Sequence, residues 1–145
     1  MIRAAGTGDI PELIEMAYAL HAESHDSKHE IVNVGGFLDH YIQGESKVVF
    51  IDTEDRGFLL GRMHQHPLFR VKWGVEEYWY VKPDYRGSSV GLKLLKHFTA
   101  WAKANGADEM LVTHGSGIKV DSLGKLLTRK GYDCVGGMYR KELNG

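Results

Sequence analysis

The stretch that most constrains this chain is residues 81–92, V-K-P-D-Y-R-G-S-S-V-G-L. Leading into it, residues 75–81 (V-E-E-Y-W-Y-V) are rich in β-branched and aromatic residues and predict a strand, which Pro83 and Asp84 end. Beyond it, Val90, Leu94, Leu95, Phe98, Trp101 and Ala102 fall on one helical stripe, and Gly106 is placed to close a helix over residues 89–104. The first N–H groups of such a helix have no partner inside it and carry the positive end of its dipole. Small residues at Gly87, Ser88, Ser89 and Gly91 let a ligand approach the backbone, and Arg86 adds a cation. That combination suits a phosphate or pyrophosphate. It is not a Walker A loop, because no Gly-Lys-Ser/Thr follows, and it lacks the G-x-G-x-x-G of a dinucleotide fold. An ordinary strand-to-helix loop with small residues is the rival reading of this stretch alone.

The other periodic segments predict the order β-α-α-β-β-β-α-β-α-β. A strand is expected over residues 1–5. Asp9, Pro11 and Glu12 then form a helix start of the capping-box kind, and the helix runs to about residue 24. A shorter helix spans residues 34–42 and stops at Gly44. Residues 47–52 and 58–65 read as a hairpin, and residues 109–113 as a short buried strand. Asp121 heads a helix closed by Gly131, and residues 132–143 read as a last strand or strand pair, with Cys134 a small buried hydrophobe. A mixed sheet covered by helices is the natural packing. No linker or repeat divides the 145 residues, so a single domain over 1–145 is expected.

Composition excludes several classes. A net charge of −1 disfavours bulk nucleic-acid binding, which usually needs a strongly basic chain. No apolar run approaches the roughly 18 residues of a membrane span, and the N-terminal residues lack the apolar core of a secretory signal. One cysteine excludes an internal disulfide framework. The expectation is a cytoplasmic protein without membrane partners.

From here the chain resembles a known family, the GNAT superfamily of N-acetyltransferases. The family's acetyl-CoA signature is Arg/Gln-x-x-Gly-x-Gly/Ala after V-x-P-x-[YF], and residues 81–91 read V-K-P-D-Y-R-G-S-S-V-G. The helix K-L-L-K-H-F-T-A-W-A-K-A-N-G-A and the closing R-K-G-Y are similar too, and the order of elements matches nearly end to end. The stretch E-x-x-W-x-V-x-P-x-Y-R-G resembles small GNAT proteins found in phage genomes. The pattern departs at Ser89, where the family has glycine. It departs again at Leu127 and Val120, where the family often has its tyrosine acid and an asparagine.

The resemblance implies an α/β (α+β) fold. Its central sheet is mixed and mostly antiparallel, with a splayed parallel strand pair and helices on both faces. It implies acetyl-CoA as co-substrate, with the backbone of Trp79, Tyr80 and Val81 pairing with the pantetheine arm. Arg86, Gly87, Ser88, Ser89, Val90 and Gly91 would hold the pyrophosphate. The implied reaction is acetyl transfer to a primary amine by direct attack, with a general base removing the proton of the ammonium. The amine would belong to a small molecule or a protein. Glu76 is the first choice as base and Glu77 the reserve, because adjacent strand residues face opposite sides. His114 and Tyr132 are the candidates for an acid. The loop after the first helix would border the acceptor, which brings in His21, Glu23, Ser24 and His25. His21, His25 and His29 recur at i, i+4, i+8, but no carboxylate or cysteine completes a ligand set, so no metal is expected. A homodimer is expected from the habits of relatives. The rival functions are a catalytically inactive CoA-binding or protein-interaction module of the same fold, and an unrelated phosphate-binding regulator.

Overall fold

The structure is a computed structural model that describes residues 1–113 and 120–143. Five strands form one sheet in sequence order: β1 (Ile2–Ala4), β2 (Lys47–Asp52), β3 (Gly57–Gln65), β4 (Lys72–Val81) and β5 (Glu109–Leu111). Neighbours from β1 to β4 are antiparallel, and β4 with β5 is parallel. Four helices cover the sheet: α1 (Ile10–Glu23), α2 (Val34–Gln43), α3 (Val90–Ala104) and α4 (Val120–Arg129).

Strand alternation divides the core into two layers. Leu13, Met16 and Leu20 of α1 and Leu38 and Tyr41 of α2 pack on Val49, Ile51, Phe58, Leu60 and Tyr80. The alternate residues Val48, Phe50 and Leu59 face Val90, Leu94, Leu95 and Phe98 of α3 and Leu127 of α4. Helices on both faces of a mixed sheet are thus what the sequence led us to expect.

Two glycines let α3 lie close to the sheet. A Cβ on Gly61 would sit 2.5 Å from the Phe98 ring, and one on Gly74 would sit 2.6 Å from the Ala102 methyl. The close approach carries the start of α3 to the end of β4, where the polar loop turns.

Some local expectations are corrected. The strand expected from residue 75 starts at Lys72, because Lys72 N–H bonds the Asp108 carboxylate (2.9 Å) and Trp73 Nε1–H bonds Glu109 (2.9 Å) across to β5. Asp9 does not cap α1 with its side chain. Its carboxylate accepts from Gly6 N–H (2.8 Å) and pairs with Arg3 (2.7 Å). Glu12, the other half of the expected capping box, pairs instead with Lys82 at 3.0 Å. No strand forms over the described part of residues 132–143, and Cys134 is exposed. The Gly136-Gly137 pair interrupts the alternation there, and three-residue β5 offers a short ladder. The segment is tied instead to the α1–α2 connection, through Arg140 to Asp26 and Glu142 to Lys28. Among the described residues, no helix is long and apolar enough to cross a membrane.

At the turn after β2, fully buried Asp52 accepts from the Arg56 guanidinium (2.7 and 3.0 Å) and from the N–H groups of Glu54 (3.1 Å) and Arg56 (3.3 Å). The Arg56 hydrogen bond leads these in holding its carboxyl far below the ordinary range. Asp52→Asn should lower the urea midpoint, since it removes the carboxylate that organises this turn and leaves Arg56 with Glu54 alone. Because the folded-state pKa is depressed, this contribution is complete above the ordinary carboxylate value and fades as pH falls below it. Wild type should lose melting temperature faster than Asp52→Asn between pH 4 and pH 2.

Candidate active site

The site begins with a defect in the β3–β4 ladder. Leu60 lies opposite Tyr78 and Gly61 opposite Glu76, so Glu77 is an extra residue, a β-bulge. On the other side of β4, pairing with β5 runs from Trp73↔Glu109 to Val75↔Leu111 and stops. From Glu76 onward β4 has no strand neighbour on that side among the described residues. A cleft of about 500 Å³ opens there, walled by β4 residues 76–81, the loop at Tyr85–Ser88, Gly91 and Leu92 of α3, Thr113, and one side of α4.

Hydrogen-bond alternation shows which β4 groups face the cleft. Lys82 N–H donates to Arg56 C=O at 2.8 Å, so Arg56 and Lys82 are a bonded pair. Two residues further, Phe58 with Tyr80 and then Leu60 with Tyr78 are bonded pairs as well. The main-chain N–H and C=O of Trp79 and Val81 therefore point away from β3, into the opening. Tyr80 spends its main-chain groups on β3.

The loop before α3 has the expected chemistry with one rearrangement. Gly87 has φ +90°, with nothing within 4 Å of where a Cβ would be. The N–H groups of Gly87, Ser89, Gly91 and Leu92 have no acceptor among the described residues. The Ser88 hydroxyl bonds Tyr85 C=O (2.5 Å) and accepts from Val90 N–H (3.4 Å), which fixes the turn. Arg86 is the exception. Its guanidinium is held by both Glu23 oxygens (2.7 and 2.5 Å), donates Nε–H to Val81 C=O (2.8 Å) and lies 5.6 Å over the Tyr80 ring. It ties α1 to the loop instead of standing free in the cleft. Arg129 on α4 lines the cleft as a second cation, without an ion pair among the described residues. Sequence reading passed over it, although Ser122, Leu126 and Arg129 recur at i, i+4, i+7.

The two glutamates differ sharply. Glu76 is 3% exposed, and its carboxyl meets the backbone N–H of Thr113 beyond β5. Burial, assisted by the charge of Glu77, pushes its pKa up to about 8. Glu77 turns toward α2, where its carboxylate accepts from Tyr41 O–H and pairs with Arg62 Nε at 2.9 Å. Burial and that acceptor raise the Tyr41 phenol well above its usual value. Both residues contribute to the cleft wall at the bulge.

A model of the "Acetyltransferase (GNAT) family" matches residues 12–119 of the chain. The chain belongs to the GNAT acetyltransferase family. Solved GNAT structures share the fold. One is the aminoglycoside acetyltransferase AAC(6')-Iy in complex with a bisubstrate analog, CoA-S-monomethyl-acetylneamine, with 18% identity, TM-score 0.79 and coverage of 99% of this chain and 98% of that one. Another is the ribosomal-protein-alanine N-acetyltransferase of Brucella melitensis biovar Abortus 2308, with 14% identity, TM-score 0.73 and 99% coverage of both chains. A third is an aminoglycoside acetyltransferase from an uncultured soil metagenomic sample, in complex with sisomicin, with 17% identity, TM-score 0.72 and coverage of 99% and 96%. A search of curated protein sequences finds no match.

The cleft of this GNAT chain can be tested against acetyl-CoA on its own atoms. The indole Nε1–H of Trp79 is buried, has no partner among the described residues and belongs to a residue of the cleft wall. Gly91 stands 3.6 Å from that ring, measured from where its Cβ would be, so a side chain at 91 would crowd it. An orphaned donor, the open main-chain groups of Trp79, the Val81 N–H and free amides at the loop together fit a ligand with amides and a diphosphate. The other expected residues fall as follows. Tyr132 packs on the α3 core, bonded to Thr99, and does not line the cleft. Leu127 is buried in the same core. His114 lies outside the described residues. His25 and His29 lie past the end of α1, so the three histidines do not share one helix face.

Gly87→Glu should abolish acetyl-CoA binding in calorimetry, because it sets a carboxylate among the amides and strains a positive φ. Circular dichroism should show the fold intact, since the space around Gly87 is open. Unchanged affinity would remove the loop from the binding site.

Proposed function

We propose that the chain transfers the acetyl group of acetyl-CoA to a primary amine by direct attack, with Glu76 as the general base. The observation that carries this reading is the parting of β4 from β5 after Val75 and Leu111. Through that gap the main-chain groups of Trp79 and Val81, the free amides before α3 and the Glu76 carboxyl all reach one cleft.

Each part has a separate task. Gly87, Ser89, Gly91 and Leu92 offer N–H groups to the diphosphate, and Arg129 supplies charge where Arg86 is engaged by Glu23. Trp79 offers both main-chain groups and its indole N–H to the pantetheine amides. Val81 N–H polarises the thioester carbonyl, and Arg86 holds the next peptide by bonding Val81 C=O. Glu76 accepts a proton from the incoming ammonium, directly or through one water. The neutral amine then attacks the carbonyl carbon, the C–S bond breaks, and the nitrogen gives up its second proton to solvent while the CoA thiolate takes one from it. Glu77 is engaged by Arg62 and Tyr41, which leaves Glu76 as the carboxyl free to act as base.

The pH profile tests the base. Glu76 is an effective base only when ionised, so kcat/KM should rise through pH 8 and then level, apart from the titration of the amine itself. Glu76→Gln should lower kcat/KM by about a hundredfold at pH 9. The loss should shrink below pH 7, where the wild-type carboxyl is already protonated. A variant with the wild-type rate and profile would exclude Glu76 from proton removal. Acetyl-CoA should raise the melting temperature of both proteins; if it binds without any amine being turned over, the chain is instead a CoA-binding module.

A further inference from the structure

A second cavity of about 280 Å³ lies between α1, α2 and the sheet, and Leu20 and Tyr78 belong to its wall as well as to the wall of the cleft. Its floor is apolar, formed by buried Leu38, Phe58 and Leu60. Its rim is also apolar, and unusually open to solvent: Val32 is 77% exposed, Tyr78 48% and Phe37 39%. Phe37 and Tyr78 stand edge to face with centroids 6.1 Å apart, a ready wall for a further ring. Exposed aromatic and aliphatic side chains gathered around one cavity mark a binding surface, since scattered ones would not converge.

The polar groups of this cavity are largely occupied. The Ser24 hydroxyl donates to His21 C=O (2.9 Å) and accepts from Asp26 N–H (3.1 Å). The Asp26 carboxylate is paired with Arg140 of the C-terminal segment, and His25 is 3.8 Å away. The cavity thus has no uncommitted carboxylate to receive a second or third ammonium. In the adjoining cleft wall the carboxylates are Glu76 and Glu77, and Glu77 is already held by Arg62.

We infer that the acceptor is a small monoamine with an apolar, preferably aromatic, body. The body sits between Phe37, Tyr78 and Leu38, and the amine reaches past Tyr78 toward Glu76. This deepens the proposed function and rests on it. The cavity lies at the small end of ligand sites, so the body is about the size of one substituted ring. A polycation such as a polyamine or an aminoglycoside would leave most of its charges without partners there.

The test compares 2-phenylethylamine and hexylamine with spermidine and neamine, following CoA thiol release. It also measures the melting shift caused by each amine in the presence of acetyl-CoA. The apolar monoamines should exceed the polycations at least tenfold in kcat/KM and should raise the melting temperature further. Ala17→Phe places a ring in the cavity from half-exposed α1. It should raise KM for 2-phenylethylamine at least tenfold while the melting shift with acetyl-CoA alone stays as in wild type. Phe37→Ala, at the rim, should weaken 2-phenylethylamine more than hexylamine. A preference for spermidine or neamine overturns the inference, as do wild-type values in Ala17→Phe. So does acetyl-CoA binding with no monoamine turned over. Failure of acetyl-CoA itself to shift the melting temperature would instead remove the proposed function.

Discussion

Everything at the site follows from two parallel strands that stop pairing. A strand in the middle of a sheet spends its main-chain donors and acceptors on both neighbours. β4 does so only as far as Val75. Beyond that point the chain carries exposed peptide groups in a protected place, which is an unfavourable arrangement unless something else bonds them. The bulge at Glu77 makes the break abrupt by adding a residue on β4 alone and increasing its twist. The close packing of α3, made possible by Gly61 and Gly74, then delivers a helix start to the same gap. Unpaired strand and unpaired helix amides come from different elements, yet they line one cleft.

The glutamate pair shows how a single backbone irregularity can divide labour between identical side chains. Regular alternation would have sent the two to opposite layers with nothing else to distinguish them. The bulge leaves Glu76 in a dry pocket with one backbone donor, and gives Glu77 a cation and a phenol. Burial and the neighbouring charge of Glu77 both raise the Glu76 carboxyl. A base that remains protonated at neutral pH suits a site whose other partner is itself an ammonium, because two unshielded charges need not be buried before the ligands arrive.

Much of this was legible in the residues. The strand of residues 75–81, the small-residue loop and the amphipathic α3 announce themselves by local pattern, and local pattern is what a sequence displays best. Glu76 could be named, but its surroundings could not, since they include the N–H of Thr113 from the segment after β5. Likewise the engagement of Arg86 rests on Glu23, 63 positions away. Nothing in the loop itself distinguishes an arginine that awaits an anion from one already matched. Arg129 and the Tyr41–Glu77 contact were missed for the same reason: both depend on how helices dock, and spacing along one helix does not show what it faces. The strand expected over residues 132–143 failed on a different count. Its hydrophobic residues suggested a buried ladder, but Gly136 and Gly137 and the brevity of β5 leave it no register to join.

The bond between Glu23 and Arg86 has a consequence for how the two halves of the molecule communicate. α1 borders the apolar cavity through Leu20 and His21, and two residues further on its last residue holds the arginine that fixes the peptide at Val81. A displacement of the end of α1 would therefore be felt at the loop before α3, and any coupling between the cavity and that loop is equal in both directions.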